Sequence, residues 1–296
     1  MKILLLGKNG QVGWELQRSL SYLGDIVAVD FDSEDFCGDF SKPRQLVADI
    51  RRLKPDVIVN AAAHTAVDKA ESEPEFAYQL NSHAVEEIAK VASELNCWFV
   101  HYSTDYVFNG SGYTGWIESD IPSPLNMYGE SKLAGERAIV KYCQKYLVFR
   151  TSWVFASRGN NFAKTMLNLA KSREELSIIN DQFGAPTSAE LLADCTAHAI
   201  TVAMERPEVS GLYHLVASGE TTWFDYAQYI FDFARRKGVE LVLERVQPVP
   251  TSTFPTPAKR PHNSRLDTNK FTSTFKRQLP DWKFGVQRML QEIVEK

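Results

Sequence analysis

In this 296-residue chain the side chains best suited to chemistry are Tyr128 and Lys132, in Tyr128-Gly129-Glu130-Ser131-Lys132. On a helix, residues four apart share one face. A free phenol, with a pKa of about 10, is a poor acid–base group near neutrality. A nearby ammonium favours the phenolate and brings that value down. Such a pair can exchange a proton with a carbonyl or an alcohol while a hydride moves. The same spacing also occurs between solvated surface residues, so the residues around the pair decide its meaning.

The first of these is Gly7-Lys8-Asn9-Gly10-Gln11-Val12-Gly13, a G-x-x-G-x-x-G run between an apolar segment and an amphipathic one. Glycine permits a tight turn and lets the backbone approach a pyrophosphate. Free N–H groups and the positive end of the following helix then bind phosphate. An ordinary glycine turn is the alternative. Asp30 closes the second apolar run, where a carboxylate can accept hydrogen bonds from an adenosine ribose. Phe31, Asp32 and Ser33 follow, with no Arg or Lys to neutralise a 2′-phosphate, which predicts NADH over NADPH. A solvated loop aspartate is the alternative here. Asp39 and Phe40 offer an acceptor and an apolar face for adenine.

These residues sit at the junctions of a regular pattern. Short apolar runs at 3–6, 26–29, 56–60, 98–102 and 147–150 read as buried strands. Amphipathic stretches at 11–23, 43–53, about 75–95 and about 128–146 read as helices. Continuous apolar strands alternating with helices predict a parallel sheet covered on both faces. The fold class is therefore α/β, a Rossmann-like doubly wound parallel sheet with a second, smaller substrate-binding domain. In the second half, helices are expected at 161–171, 189–204, 224–237 and 284–294, and strands at 178–179 and 211–216. The Pro/Thr/Ser-rich stretch 247–261 reads as an extended loop. The expected division gives residues 1–150, with roughly 187–218, to a dinucleotide-binding domain. Roughly 151–186 and 219–280 form the substrate domain, and 281–296 a C-terminal helix.

Composition excludes several other classes. A formal net charge of −4 argues against a general nucleic-acid binder. Cys37, Cys97, Cys143 and Cys195 lie far apart, without the spacing of a zinc site or a disulfide framework. The six histidines form no ligand cluster, and no G-x-S-x-G elbow is present. No apolar run suits a signal peptide or a membrane span. A reduced, soluble, cytoplasmic protein is expected.

The glycine run, the Tyr128/Lys132 pair and the length resemble the extended short-chain dehydrogenase/reductase superfamily. Further stretches resemble one family within it, the dTDP-4-dehydrorhamnose reductases. They are the segment from Asn60 to Asp68, the segment from Tyr102 to Phe108, Arg150-Thr151-Ser152-Trp153-Val154, the segment from Asp181 to Thr187, and Arg260-Pro261-His262-Asn263-Ser264. The resemblance implies NADH-dependent reduction of a nucleotide-linked 4-keto sugar, with NADPH as a further donor and polysaccharide assembly as the destination. It implies that Gly10, Gln11, Val12, Asp30, Asp39, Phe40, Ala62, Ala63 and Thr65 line the dinucleotide. Tyr128 becomes the proton donor. Lys132 is its electrostatic partner and holds the nicotinamide ribose. Thr104 bonds the sugar oxygen, Asp105 and Trp153 touch the deoxysugar, and Arg260 and Asn263 meet the nucleotide end. Magnesium at Glu15, Glu190 and Glu292, in a homodimer, is implied on the same ground. Two rival readings stay open. One is another nucleotide-sugar enzyme of the superfamily, although a resembling dehydratase would carry Glu where Tyr106 stands. The other is a non-catalytic regulatory binding subunit.

Overall fold

The computed structural model describes residues 1–294. The first half runs β1 (Lys2–Leu6), α1 (Gln11–Leu20), β2 (Asp25–Val29), α2 (Pro43–Leu53), β3 (Val57–Asn60), α3 (Val67–Ser72) and α4 (Pro74–Tyr78). A π-helical turn (Gln79–His83), α5 (Ala84–Glu94), β4 (Trp98–Thr104), α6 (Met127–Tyr142) and β5 (Tyr146–Thr151) follow. The second half adds β6 (Val154–Phe155), α7 (Phe162–Ala170), β7 (Glu175–Ile179), β8 (Phe183–Gly184), β9 (Thr187–Ser188), α8 (Ala189–Glu205) and β10 (Gly211–His214). It ends with β11 (Thr221–Thr222), α9 (Trp223–Arg236), β12 (Arg245–Val249), α10 (Asn269–Phe275) and α11 (Trp282–Val294).

Six strands form one parallel sheet in the order β10-β5-β4-β3-β1-β2. The chain moves outward from β1 to β2, then crosses back to β3 on the other side of β1. That reversal opens a crevice beyond the carboxyl ends of β1 and β3. Successive strand residues point to opposite faces. Ile3, Leu5, Val57, Val59, Val100 and Phe149 pack under α1, α8 and α10. Leu4, Leu6, Ile58, Phe99 and Val148 pack under α2, α5 and α6. Burying a side chain of this size stabilises the fold by about 1.5–3 kcal/mol. A third core lies beyond the sheet, built from Phe155, Leu167, Tyr226, Phe231, Trp282 and Leu290.

Local sequence explains the punctuation. In α2, Leu46, Val47, Ile50 and Leu53 are buried, Pro43 sits in the first turn, and Lys54 ends the helix in the left-handed region at φ 51°. Proline fits that first turn because its missing N–H would have no partner there.

The structure corrects several expected elements. The helix expected at 75–95 is α4, a π-helical turn and α5, and α3 precedes it. The turn sets Asn81 to bond the His64 backbone at 2.8 and 3.0 Å and Ser131 Oγ at 3.0 Å. These tertiary bonds leave no trace in helical periodicity. Residues 247–249, expected in a loop, belong to β12, which pairs in parallel with β7. Pro248 is tolerated because this two-stranded sheet has only edges. The helices α3 and α10 were not expected, and residues 295–296 of the expected C-terminal helix lie outside the described residues. Among the described residues no helix is long and apolar enough to cross a membrane.

Candidate active site

A cavity of about 710 Å³ opens at the carboxyl ends of the strands. Its floor at one end is the glycine loop. Gly7 has φ +87°, and a Cβ there would stand 2.7 Å from the Ala62 backbone nitrogen. The loop therefore lies flush against the start of the segment after β3. Gly10 begins α1 with no side-chain cap, so the first N–H groups of the helix remain free for an anion. Gly13 does not line the cavity. A Cβ on it would stand 1.9 Å from Gly7 O, so its role is to let α1 pack on the loop. Gln11, Val12, Ala62, Ala63 and Thr65, the residues expected beside a dinucleotide, all line the cavity.

Asp30 lines the same end. Its carboxylate accepts the Asn9 N–H at 3.0 Å and the Phe31 N–H at 2.8 Å. Lys8 Nζ donates to Ser33 Oγ at 3.3 Å. A cation thus stands beside the Asp30 loop, which corrects the reading that none is near. Asp39 also lines the cavity. Desolvation pushes its carboxyl up, but hydrogen bonds from Ser41 and the Lys42 ammonium outweigh this and hold it below the usual range. Phe40 is buried beside it. These features fit a bound dinucleotide: a glycine cradle without Cβ atoms, free helix N–H groups, and a carboxylate at the end of β2.

The other end of the cavity gathers Thr104, Asp105, Tyr106, Tyr128, Lys132 and Trp153. Asn126 caps α6 by accepting the Gly129 N–H at 2.8 Å. That cap fixes the first turn, where Tyr128 sits, and Lys132 follows one turn later. Burial pushes the Tyr128 phenol up, a hydrogen bond with Thr104 partly offsets this, and the Asp105 charge adds to the rise. The Lys132 amine does not face the phenol directly. It donates to Tyr102 O at 2.6 Å and contacts His101 Nε2 at 3.2 Å. The expected lowering of the phenol by that ammonium is therefore not seen in this structure. Burial brings Lys132 itself down to about 8, against the opposing field of Glu136.

Asp105 is buried, and burial raises it to about 6 even though Ser264 and Thr104 donate to it. Its Oδ2 has no protein partner, nor do Ser103 Oγ, Thr151 Oγ1 and Ser152 Oγ, all on cavity-lining residues. Buried polar atoms of this kind normally find partners, so this wall is chemically suited to a hydroxyl-rich ligand. Trp153 holds φ 48° and stacks on Trp223 with ring centroids 3.6 Å apart. Its indole forms a flat apolar wall.

Arg260 stands behind the wall rather than on it. It pairs with Asp68 at 2.7 Å and donates to Tyr106 OH at 3.2 Å. Asn263 is corrected more firmly. It is buried, its amide donates to Thr114 O and Ser111 O, and its oxygen accepts from Arg265. It anchors loops and does not reach the cavity. The sequence reading missed Ser103, Tyr106, Thr151 and Ser152, all of which line the cavity. For Ser103 and Thr151 the available signal was a polar residue within an apolar strand, β4 or β5; Tyr106 and Ser152 lie just past the ends of those strands.

Glu15, Glu190 and Glu292 line one small pocket. Glu15 pairs with Arg18 at 3.3 Å and Glu190 with Arg288 at 2.8 Å. Among the described residues no three carboxylate, histidine or cysteine side chains could together hold a metal ion. The glutamates thus share a pocket without forming a metal-binding set in one chain, and no step is assigned to a metal.

Fold and site together are those of a Rossmann-type reductase, with a glycine cradle that fits a dinucleotide at one end of the cavity and a Tyr/Lys pair at the other. The model of the RmlD substrate binding domain family matches residues 1–295, and the chain belongs to that family. A dTDP-4-dehydrorhamnose reductase of Escherichia coli strain K12 is 64% identical over 293 residues, covering 99% of this chain and 98% of the relative. A solved structure of a dTDP-4-dehydrorhamnose reductase from Clostridium acetobutylicum is 32% identical with a TM-score of 0.88, covering 99% of each chain. Another, from Bacillus anthracis in complex with NADP, is 34% identical with a TM-score of 0.87, covering 98% of this chain and 99% of that one.

Proposed function

We propose that the chain catalyses NAD(P)H-dependent reduction of dTDP-4-dehydro-β-L-rhamnose to dTDP-β-L-rhamnose, the last step of dTDP-L-rhamnose biosynthesis. The observation that carries this is the single cavity with the glycine loop at one end and Tyr128, Thr104 and Lys132 at the other. Membership of the family supports the substrate.

A reduced nicotinamide dinucleotide, when bound, supplies the hydride for the sugar C4. The remaining work belongs to the chain. Gly7, Gly10 and the first N–H groups of α1 hold the pyrophosphate. Asp30 takes the adenosine ribose, while Lys8 offers a cation to a 2′-phosphate, which supports use of both NADH and NADPH. Tyr128 gives its proton to the C4 oxygen. Charge grows on that oxygen in the transition state, so the Tyr128 donor stabilises that state more than the substrate; Thr104, whose O–H goes to Asp105 Oδ1 at 3.0 Å, adds a second donor when that hydroxyl turns to the sugar oxygen. Lys132 fixes the nicotinamide ribose and balances the phenolate left behind. Asp105 and Trp153 orient the deoxysugar. Tyr106, held from behind by Arg260 at 3.2 Å, faces the nucleotide end.

The division into a dinucleotide-binding and a substrate domain belongs to this proposal. So do a homodimer and a cytoplasmic location, with light scattering on the purified protein as the test of the dimer. Loss of absorbance at 340 nm, with substrate made in situ by the upstream dehydratase and epimerase, tests the activity. Formation of dTDP-rhamnose is expected. Tight dinucleotide binding without turnover of any keto sugar would instead favour a regulatory binding subunit.

A further inference from the structure

Around Lys132 the hydrogen bonds have a fixed direction. Asn60 and His101 stand opposite each other on the paired strands β3 and β4. Both are buried, as is Lys132. Asn60 Oδ1 accepts the Ala62 N–H at 2.9 Å. Asn60 Nδ2 lies 3.0 Å from His101 Nδ1, and His101 Nε2 lies 3.2 Å from Lys132 Nζ.

The backbone N–H of Ala62 can only donate, so the oxygen of Asn60 faces Ala62 and the nitrogen faces His101. Turning the amide over would set donor against donor. The Asn60 N–H therefore donates to His101 Nδ1, which must be the bare nitrogen. A neutral imidazole with a bare Nδ1 carries its proton on Nε2. That proton points at Lys132 Nζ, and only an uncharged amine has a lone pair to receive it. The amine in turn donates to Tyr102 O at 2.6 Å.

We infer that Asn60 and His101 hold Lys132 as a neutral amine until a dinucleotide binds, so that binding draws a proton from solvent onto Nζ. This makes His101 a positioning residue acting through Lys132, and it rests on the dinucleotide reading of the cavity. The ribose hydroxyls of a bound dinucleotide supply the acceptors that an ammonium requires. The charged and titratable neighbours are few. On its own helix, Lys132 has Tyr128 and Glu136. Glu136 is neutralised by Arg150 of β5 at 2.6 and 2.8 Å. From β4 comes His101, which burial keeps well below its usual value and therefore neutral. Burial of Lys132 acts in the same sense as the donor from His101.

Calorimetry of NADH binding at pH 8, in buffers of different ionisation enthalpy, counts the protons exchanged. NADH is the probe because it lacks a titrating 2′-phosphate. With Lys132 lowered to about 8, half of the amine is neutral at that pH, and uptake of up to about half a proton per NADH is expected. Lys132→Met loses a contact to the nicotinamide ribose and should bind NADH more weakly; titrated at concentrations high enough to saturate it, the uptake should be gone. Asn60→Asp should reverse the chain: its carboxylate accepts from His101 Nδ1, Nε2 becomes the acceptor, and Lys132 is charged beforehand. Uptake should then vanish while NADH still binds. NADH binding without uptake by the wild-type protein overturns the inference, as does uptake that survives in Lys132→Met or in Asn60→Asp. Absence of NADH binding overturns the reading of the cavity instead.

Discussion

Tyr128 and Asp105 are neighbours whose protonation is set by burial, and each yields a prediction. Replacing Tyr128 with Phe removes the proton donor and leaves the cavity wall in place. The kcat should fall by about 10²–10⁴-fold, with NADH affinity little changed. Stopped-flow kinetics that find near-normal turnover would remove Tyr128 from the chemistry. Asp105 is raised from its ordinary 3.8 to about 6 in the folded chain. Below the lower value it is protonated in both states and contributes nothing. As pH rises toward the upper value, the unfolded state ionises more readily, so this residue increasingly destabilises the fold. Asp105→Asn should therefore gain stability relative to the wild type between about pH 4 and 6, and keep a constant advantage above it. Parallel melting curves across that range are the check, and a constant difference throughout would contradict it. Tyr128 and Lys132 were legible in the sequence because side-chain type and spacing carry their chemistry, whereas Thr104 was offered only by the family resemblance. Asn263 was not, because a sequence does not show that its amide is consumed by the carbonyls of Ser111 and Thr114. Asn60 and His101 were hidden for the opposite reason, as isolated polar residues in strands read only for their apolar character.

At the scale of elements, two junctions hold the site in shape. The loop between β1 and α1 depends on Gly13, whose missing side chain lets the helix rest on Gly7. Gly13→Ala should abolish NADH binding measured by fluorescence, because the added carbon would stand 1.9 Å from Gly7 O. Retained affinity would show that the loop can shift without cost. Helix α6 is tied to β5 by Glu136 and Arg150, each with a side chain only 4% exposed. Glu136→Ala leaves a guanidinium buried without its partner and should cost about 3–5 kcal/mol. Denaturant midpoints measure this. Replacing both residues by apolar ones should cost much less, since no unpaired charge remains. The strands β1 to β5 and the helices α1, α2 and α8 were legible because a two-faced parallel sheet demands continuous apolar runs and one-sided helices. The π-helical turn and β12 were not. The first is dictated by tertiary bonds of Asn81, and the second hides a proline in a short edge pairing.

For the whole molecule, the cavity lies where the sheet meets the layer built on the third core. A ligand that binds only this assembled arrangement stabilises it by mass action. NADH at about 100 times its dissociation constant should add roughly 2.7 kcal/mol. The melting temperature should rise with the logarithm of NADH concentration, and a melting point that does not move would place the dinucleotide elsewhere. The crevice itself was legible, since alternation of strands and helices fixes where a doubly wound sheet reverses. The shape of its far wall was not, because Trp153 and Tyr106 are placed by stacking and by Arg260, across long stretches of chain.

The position of β10 at the edge of the sheet bears on how the protein is made. Its partner β5 is finished at Thr151, yet β10 ends only at His214. At a synthesis rate of about 5–20 residues per second, roughly 3–13 s separate the two on the ribosome. Throughout that interval the nascent chain presents the outer edge of β5 with its backbone groups unpaired, a template for other strands. Translation, not only thermodynamics, therefore sets the period in which this protein is most open to misassembly. Chains cut short between those two strands should be the ones that chaperones retain and that aggregate when chaperones are scarce.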